Sequence, residues 1–557
     1  MEKWRGGKWI FVLAALIVAI AFVGCDSDDN DDDDDIDEPA FVVDYNRLTA
    51  GLETPYLRAY NGVGDGGVAH ADYWTLAAGT PEYDALSPEE QAKVGLIQAN
   101  QIHSVLFQPD QRVAGHEATG LMDIEGRVQN VVLKVPGDWN GDLVVAGTPG
   151  LRNHYANEAV FVPWLVAQGY AYVTGDKGLL NGADTMLTGT HPTQHWGMMM
   201  LDLAHWAEGR IEAALGQEVN RTYAVGLSNG GYQVRRALEI DHAAVAGGAG
   251  RTFDGGVDWS GAYWPGERVL DTDNDGTVSV AEYVAANSLI GSIDRATAAM
   301  GWAYDEDTET TPENWSATPP YPGAYDVMID SGFTPESAVY WGYYNTIFDS
   351  YKAVLPAFKG VGYYNLVSYV YKAELRGDAG EVAAAYTCYV DPENPDVEPP
   401  LYDWLTAGDN LGWNEESVMW ALANANTGEF SAPMITVAGK ADALVPYEAQ
   451  ATAYADLVAQ HGDAEMHRFY TIENAGHVDA HADGNGDFDF NGVPGDEGMA
   501  DRLTPMQAYV EKAFAYLVDW AENGESPPAS RSIPTDPAND AVDPAAIPDF
   551  GTMPAEL

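Results

Sequence analysis

The chain has 557 residues, 46% of them hydrophobic, which is enough to bury one large core with an inserted or appended region. Its 85 acidic residues against 27 basic ones give a formal charge of −58, and residues 39–557 alone carry −50. Such a body repels nucleic acid and anionic membranes, stays soluble at high salt and attracts divalent cations, so a nucleic-acid partner is excluded.

At the start, Lys3, Arg5 and Lys8 precede an apolar run, Trp9 to Val23, that ends in Gly24-Cys25. This pattern is an export signal whose end resembles the bacterial lipoprotein processing site. It predicts a signal peptide over 1–25, lipidation at Cys25 and a membrane-anchored protein on the periplasmic or cell-surface side. Residues 26–38, almost all acidic, read as a disordered tether. With Cys25 carrying lipid, Cys388 is the one cysteine left, so no intramolecular disulfide is expected in the mature chain.

Residues 39–125 are turn-rich and their strands cannot be placed from the sequence. Strands are predicted at 128–136 and 142–147, a helix over 157–168, a strand at 170–174 and a helix over 197–215. The apolar run Tyr223-Ala224-Val225 then leads into Gly226-Leu227-Ser228-Asn229-Gly230-Gly231-Tyr232. In G-x-S-x-G the glycines let a strand turn sharply into a helix, so that the serine Oγ stands at the carboxyl edge of a sheet. Another strand is expected at 253–259. Alternating strands and helices imply a mostly parallel sheet with helices on both faces, here with a first core part over 39–259.

From about 260 to 430 the alternation stops and aromatic residues accumulate, including Trp264, Trp302, Trp315, Trp341, Trp404 and Trp413. This reads as a large inserted cap over the sheet. Within it, Asp271-Thr272-Asp273-Asn274-Asp275-Gly276, followed by Glu282 at the twelfth position, fits a calcium loop. Its expected ligands are Asp271, Asp273, Asp275, Thr277 through its carbonyl, Ser279 and Glu282, around a structural Ca2+. The run Asp483 to Asp489 is a weaker match. No organic cofactor is implied. The core resumes over 431–524, with strands at 433–439 and 466–472, helices at 447–460 and 505–522, and a Pro-rich tail over 525–557.

A serine hydroxyl needs an imidazole to take its proton and a carboxylate to orient that imidazole. Asp442, just after the strand at 433–439, is the predicted acid, with Asp258 as its rival. His477, just after the last predicted strand, is the predicted base, with His481 next in line. The backbone amides of Asn229 and Thr148 are the predicted oxyanion donors, Gly147 comes next, and Pro149 is excluded because it has no N–H.

With these residues, the chain resembles the α/β-hydrolase superfamily and, within it, the 3-hydroxybutyrate oligomer hydrolase family. The matching pieces are Leu48-Thr49-Ala50-Gly51-Leu52, Ser228-Asn229-Gly230-Gly231, Lys440 to Pro446 and Asn474 to Ala480. The resemblance implies a serine esterase acting on short hydroxyalkanoate esters or oligoesters, with Ser228, Asp442 and His477 as its triad. Other serine hydrolases, such as a tannase or feruloyl-type esterase or a peptidase, and a non-catalytic calcium-dependent binding protein are the alternatives.

Overall fold

In a computed structural model, the structure describes residues 45–60, 113–150, 152–179, 192–286, 422–479, 503–537 and 547–551, with shorter pieces between 80 and 95 and at 291–293, 324–337 and 418–419. Cys25, Cys388, His481, Asp483 to Asp489 and most of the aromatic residues predicted for the cap lie outside the described residues. No helix among the described residues is long and apolar enough to cross a membrane.

Ten strands form one sheet: β1 (Leu52–Tyr60), β2 (Gly115–Ile124), β3 (Arg127–Pro136), β4 (Leu143–Gly147), β5 (Ala171–Gly175), β6 (Thr222–Leu227), β7 (Gly255–Trp259), β8 (Met434–Gly439), β9 (His467–Ile472) and β10 (Arg531–Ile533). Their order is β1-β2-β3-β5-β4-β6-β7-β8-β9-β10. The first three strands run antiparallel to their neighbours, whereas β5, β4 and β6 to β10 are all parallel. The strands at 128–136 and 142–147, consecutive in sequence, are separated in space by β5, because β4 begins the parallel part.

The parallel strands are apolar at consecutive positions because both faces are covered. Val144, Tyr172, Tyr223, Val225, Ile435 and Val437 face a core built with α1 (Val162–Ala167) and α6 (Gln507–Asn523). Leu143, Val145, Ala171, Val173, Ala224 and Met434, on the alternate positions, face a second core shared with α2 (Trp196–Leu215), α3 (Asn229–Ala246) and α5 (Ala453–His461). A short helix, α4 (Val280–Ala285), follows the predicted calcium loop.

Two segments differ from the expectation. The turn-rich stretch at 39–125 supplies β1 and β2, which extend the sheet on its antiparallel side. The Pro-rich tail supplies β10, and its Ile533, Ile547 and Phe550 are buried in the α1–α6 core. The helix predicted over 157–168 is shorter, because the carbonyl of Asn157 accepts the amides of Val160, Phe161 and Val162 and makes a turn of the preceding residues.

Candidate active site

Ser228 lies between the last residue of β6 and the first of α3, with φ 60° and ψ −121°, a strained conformation for a residue with a side chain. Two close approaches hold it there. A Cβ at Gly226 would strike the carbonyl of Gly230, and one at Gly230 would strike the carbonyl of Gly147 at the end of β4. The glycines therefore bring the helix, its own strand and the neighbouring strand into backbone contact beneath the serine. The Ser228 amide donates to the carbonyl of Trp259 at the end of β7, 2.9 Å away.

Asp442 follows β8 and is buried. Its Oδ1 accepts the amides of Leu444 and Val445, both at 2.8 Å, and its Oδ2 lies 2.7 Å from Nδ1 of His477. Two backbone hydrogen bonds fix one oxygen and leave the other to orient the ring. His477 follows β9 and is likewise buried, and its Nε2 makes no hydrogen bond among the described residues. The acid and histidine loops are laid against each other: the amide of Ala441 donates to the carbonyl of Ala475, and a Cβ at Gly439 would strike the carbonyls of Ala475 and Gly476. Asp479, two residues after the histidine, accepts the amides of Met506 and Gln507 and so ties this loop to the start of α6.

The rival acid, Asp258, is fully buried but engaged elsewhere. Its Oδ2 accepts from Arg235 Nε at 2.6 Å and Thr436 Oγ1 at 3.1 Å, and its Oδ1 accepts the amide of Gly261. Thr436 in turn contacts Nε2 of His467, whose pKa burial lowers to about 3. Asp258 is thus a structural anchor of the elbow helix, and Asp442 is the carboxylate on the histidine.

Thr148 is a correction. Its amide donates to Oε1 of Gln233, on the elbow helix, at 3.0 Å and is therefore committed away from an oxyanion. Asp479, inside the matching stretch Asn474 to Ala480, belongs to the surroundings of the site, as do Gln233, Lys177 and Asn157, which escaped the sequence reading. Gln233 alone carried a signal, its place five residues after Ser228 on a predicted helix.

In the predicted calcium loop, carboxylate oxygens of Asp271, Asp273 and Asp275 lie within 4.8 Å of one another. Asn274 and Gly276 have φ of 59° and 84°, which makes the turn. Glu282 holds the loop shut by accepting from Ser279 and Thr272, and those hydrogen bonds bring its carboxyl down to about 2. Ser279 and Glu282 also form a capping box on α4. Behind the loop, Leu270 and Tyr283 pack in one apolar cluster with Trp264, Tyr232 of α3 and Val445 of the acid loop.

Residues 404–557, little more than a quarter of the chain, match the model of the 3HB-oligomer hydrolase family. That match holds Asp442 and His477, and the elbow holds Ser228 in the same sheet. The protein is an ester hydrolase of the α/β-hydrolase fold. No curated protein matches this hydrolase in sequence. Among solved structures, feruloyl esterase B from Aspergillus oryzae is similar at 14% identity and a TM-score of 0.43, over 88% of this chain and 90% of that one. Tannin acyl hydrolase from Aspergillus niger is similar at 15% identity and a TM-score of 0.38, over 77% and 82%. The rice cell wall degrading esterase LipA from Xanthomonas oryzae is similar at 14% identity and a TM-score of 0.34, over 74% and 90%.

Proposed function

We propose that the hydrolase is a serine esterase that cleaves 3-hydroxybutyrate oligomers, or similar short hydroxyalkanoate esters, through an acyl-enzyme. The observation that carries this reading is the 2.7 Å contact between Asp442 and His477, on loops that follow two strands of the sheet whose β6 ends at the strained Ser228. His477 Nε2 takes the proton from Ser228 Oγ as the oxygen bonds to the acyl carbon, and Asp442 steadies the resulting imidazolium. The same proton passes to the leaving alkoxide as the ester C–O bond breaks. Water then repeats the sequence on the acyl-enzyme, releasing a hydroxy acid and restoring Ser228.

The test is turnover of hydroxybutyrate dimer and trimer beside p-nitrophenyl butyrate, with a fluorophosphonate probe on the same samples. Wild type should hydrolyse the oligomers and take the label, and Ser228→Ala should do neither. Folded wild type that takes no label would end the serine reading. Labelled wild type that ignores the oligomers would end the substrate assignment alone.

Residues 260–430 act in this reading as a cap that selects the substrate, which the shared packing of Trp264, Leu270 and Tyr283 with Tyr232 and Val445 supports. Asp271, Asp273 and Asp275, with the Thr277 carbonyl, Ser279 and Glu282, would hold a structural Ca2+, and three converging carboxylates suit a hard cation. The ion would brace the base of the cap and take no part in the chemistry. The export signal makes the enzyme a lipoprotein anchored through Cys25. Palmitate labelling that survives Cys25→Ser would overturn that assignment.

A further inference from the structure

The loop after β4 is gripped at nearly every polar backbone atom by side chains from three other parts of the fold. The carbonyl of Gly147 accepts from Asn157 Nδ2 at 3.1 Å, that of Thr148 from Lys177 Nζ at 2.7 Å, and that of Gly150 from Asn229 Nδ2 at 3.3 Å. The amide of Thr148 is taken by Gln233, and its hydroxyl donates to the carbonyl of Gly175. Gln233 and Lys177 share a neighbour. Gln233 Nε2 donates to the carbonyl of Trp196, and the Lys177 ammonium sits 5.2 Å from the centroid of the Trp196 ring.

Both residues stand out. Lys177 is fully buried and held at φ 60°, in the left-handed region that side chains seldom adopt. Gln233, one turn beyond the elbow, is 2% exposed and spends both ends of its amide on this arrangement. A carbonyl is the wrong dipole to meet an oxyanion, and a carbonyl held by a donor cannot swing into the site. Lys177, which follows β5, reaches across to hold the Thr148 carbonyl from outside the loop.

We infer that Gln233 and Lys177 are positioning residues of the oxyanion hole. They lock Thr148 so that the amide of Gly150, and not that of Thr148, joins the amide of Asn229 in meeting the tetrahedral oxyanion. The Gly150 amide makes no hydrogen bond among the described residues, and its φ of 49° turns the chain sharply there. The inference rests on the serine mechanism above.

The experiment compares wild type, Gln233→Leu, Gln233→Glu, Lys177→Met, Lys177→Gln and Ser228→Ala. Each is measured for kcat and KM with p-nitrophenyl butyrate, for Ki with an alkyl trifluoromethyl ketone that forms a tetrahedral adduct on the serine, and for melting temperature. In Gln233→Leu and Lys177→Met, kcat should fall roughly 10- to 100-fold with KM within about twofold, and Ki should rise by the same factor as kcat falls. Gln233→Glu keeps an acceptor for the Thr148 amide and should retain most of kcat. Lys177→Gln keeps a donor without the charge and should fall between wild type and Lys177→Met. If Gln233→Leu or Lys177→Met does not fold, the other and Lys177→Gln carry the comparison through the same link between kcat and Ki. Folded Gln233→Leu and Lys177→Met whose kcat and Ki both stay within about threefold of wild type, whatever happens to melting temperature, overturn the inference. Full activity in Ser228→Ala would instead overturn the serine mechanism.

Discussion

Asp442 does two jobs with two oxygens, and the division between them makes its role measurable. One oxygen belongs to the backbone of its own loop and the other to His477, so replacement by asparagine keeps the shape while changing which ring nitrogen carries the proton. Asp442→Asn should lower kcat by about 10³- to 10⁴-fold with little change in melting temperature, as steady-state kinetics and thermal melting would record. Arg235 presents the opposite case, because it touches no reacting atom yet pairs with a fully buried carboxylate. Arg235→Met leaves Asp258 charged and unpaired in the interior, and urea unfolding should register a loss of about 3–5 kcal/mol. The proposed serine, acid and histidine are legible in the sequence because each follows its own strand, and their order along the chain is enough to single them out as candidates. The sequence does not disclose that Asp258 is occupied by Arg235, since that pairing depends on which face of the elbow helix meets β7.

Elements whose neighbours cover both faces are the ones legible in sequence. β4, β6 and β8 are short apolar runs and fall where expected. β1 is hidden by Pro55 and by charged residues at Glu53 and Arg58, which an outer antiparallel strand tolerates. β10 is only three residues long in a proline-rich stretch, and its pairing with β9 is a matter of tertiary register. Helix α6 carries a prediction of its own. Burial lifts the carboxyl of Glu511 to about 7 from its usual 4.5. The folded state thus holds a proton that the unfolded chain releases, and Glu511 costs stability as pH rises from about 4.5 to 7. Glu511→Gln should match wild type near pH 4 and exceed it by roughly 2 kcal/mol at pH 8, read from urea unfolding at the two pH values.

Across the whole molecule, the net charge sets the expected response to salt, and the proposed calcium loop sets the expected response to a chelator. A body carrying −50 repels itself, and screening should relieve that repulsion. Melting temperature should rise by several degrees between low salt and on the order of 1 M NaCl. At fixed salt, a chelator should lower it in wild type and leave Asp271→Asn/Asp273→Asn unaffected, as calorimetry would show. An equal chelator response in both proteins would remove calcium from the account. The loop's spacing is plain in the sequence, but its packing against Tyr232 and Val445 is not, because those residues lie on either side of residues 260–430.

β10 bears on the histidine loop. This strand follows every other described strand of the sheet along the chain, and without it β9 would stand as a bare parallel edge. The carbonyl of Ile533 accepts the amide of Glu473, and Thr535 bonds the Glu473 carbonyl and the side chain of Asn474, so the last strand fastens the stretch that leads into His477. A chain cut before Arg531 would carry Ser228, Asp442 and His477 and lose the hydrogen bonds that fasten Glu473 and Asn474. A strand far along the chain from the proposed base thus sets how firmly that base is held.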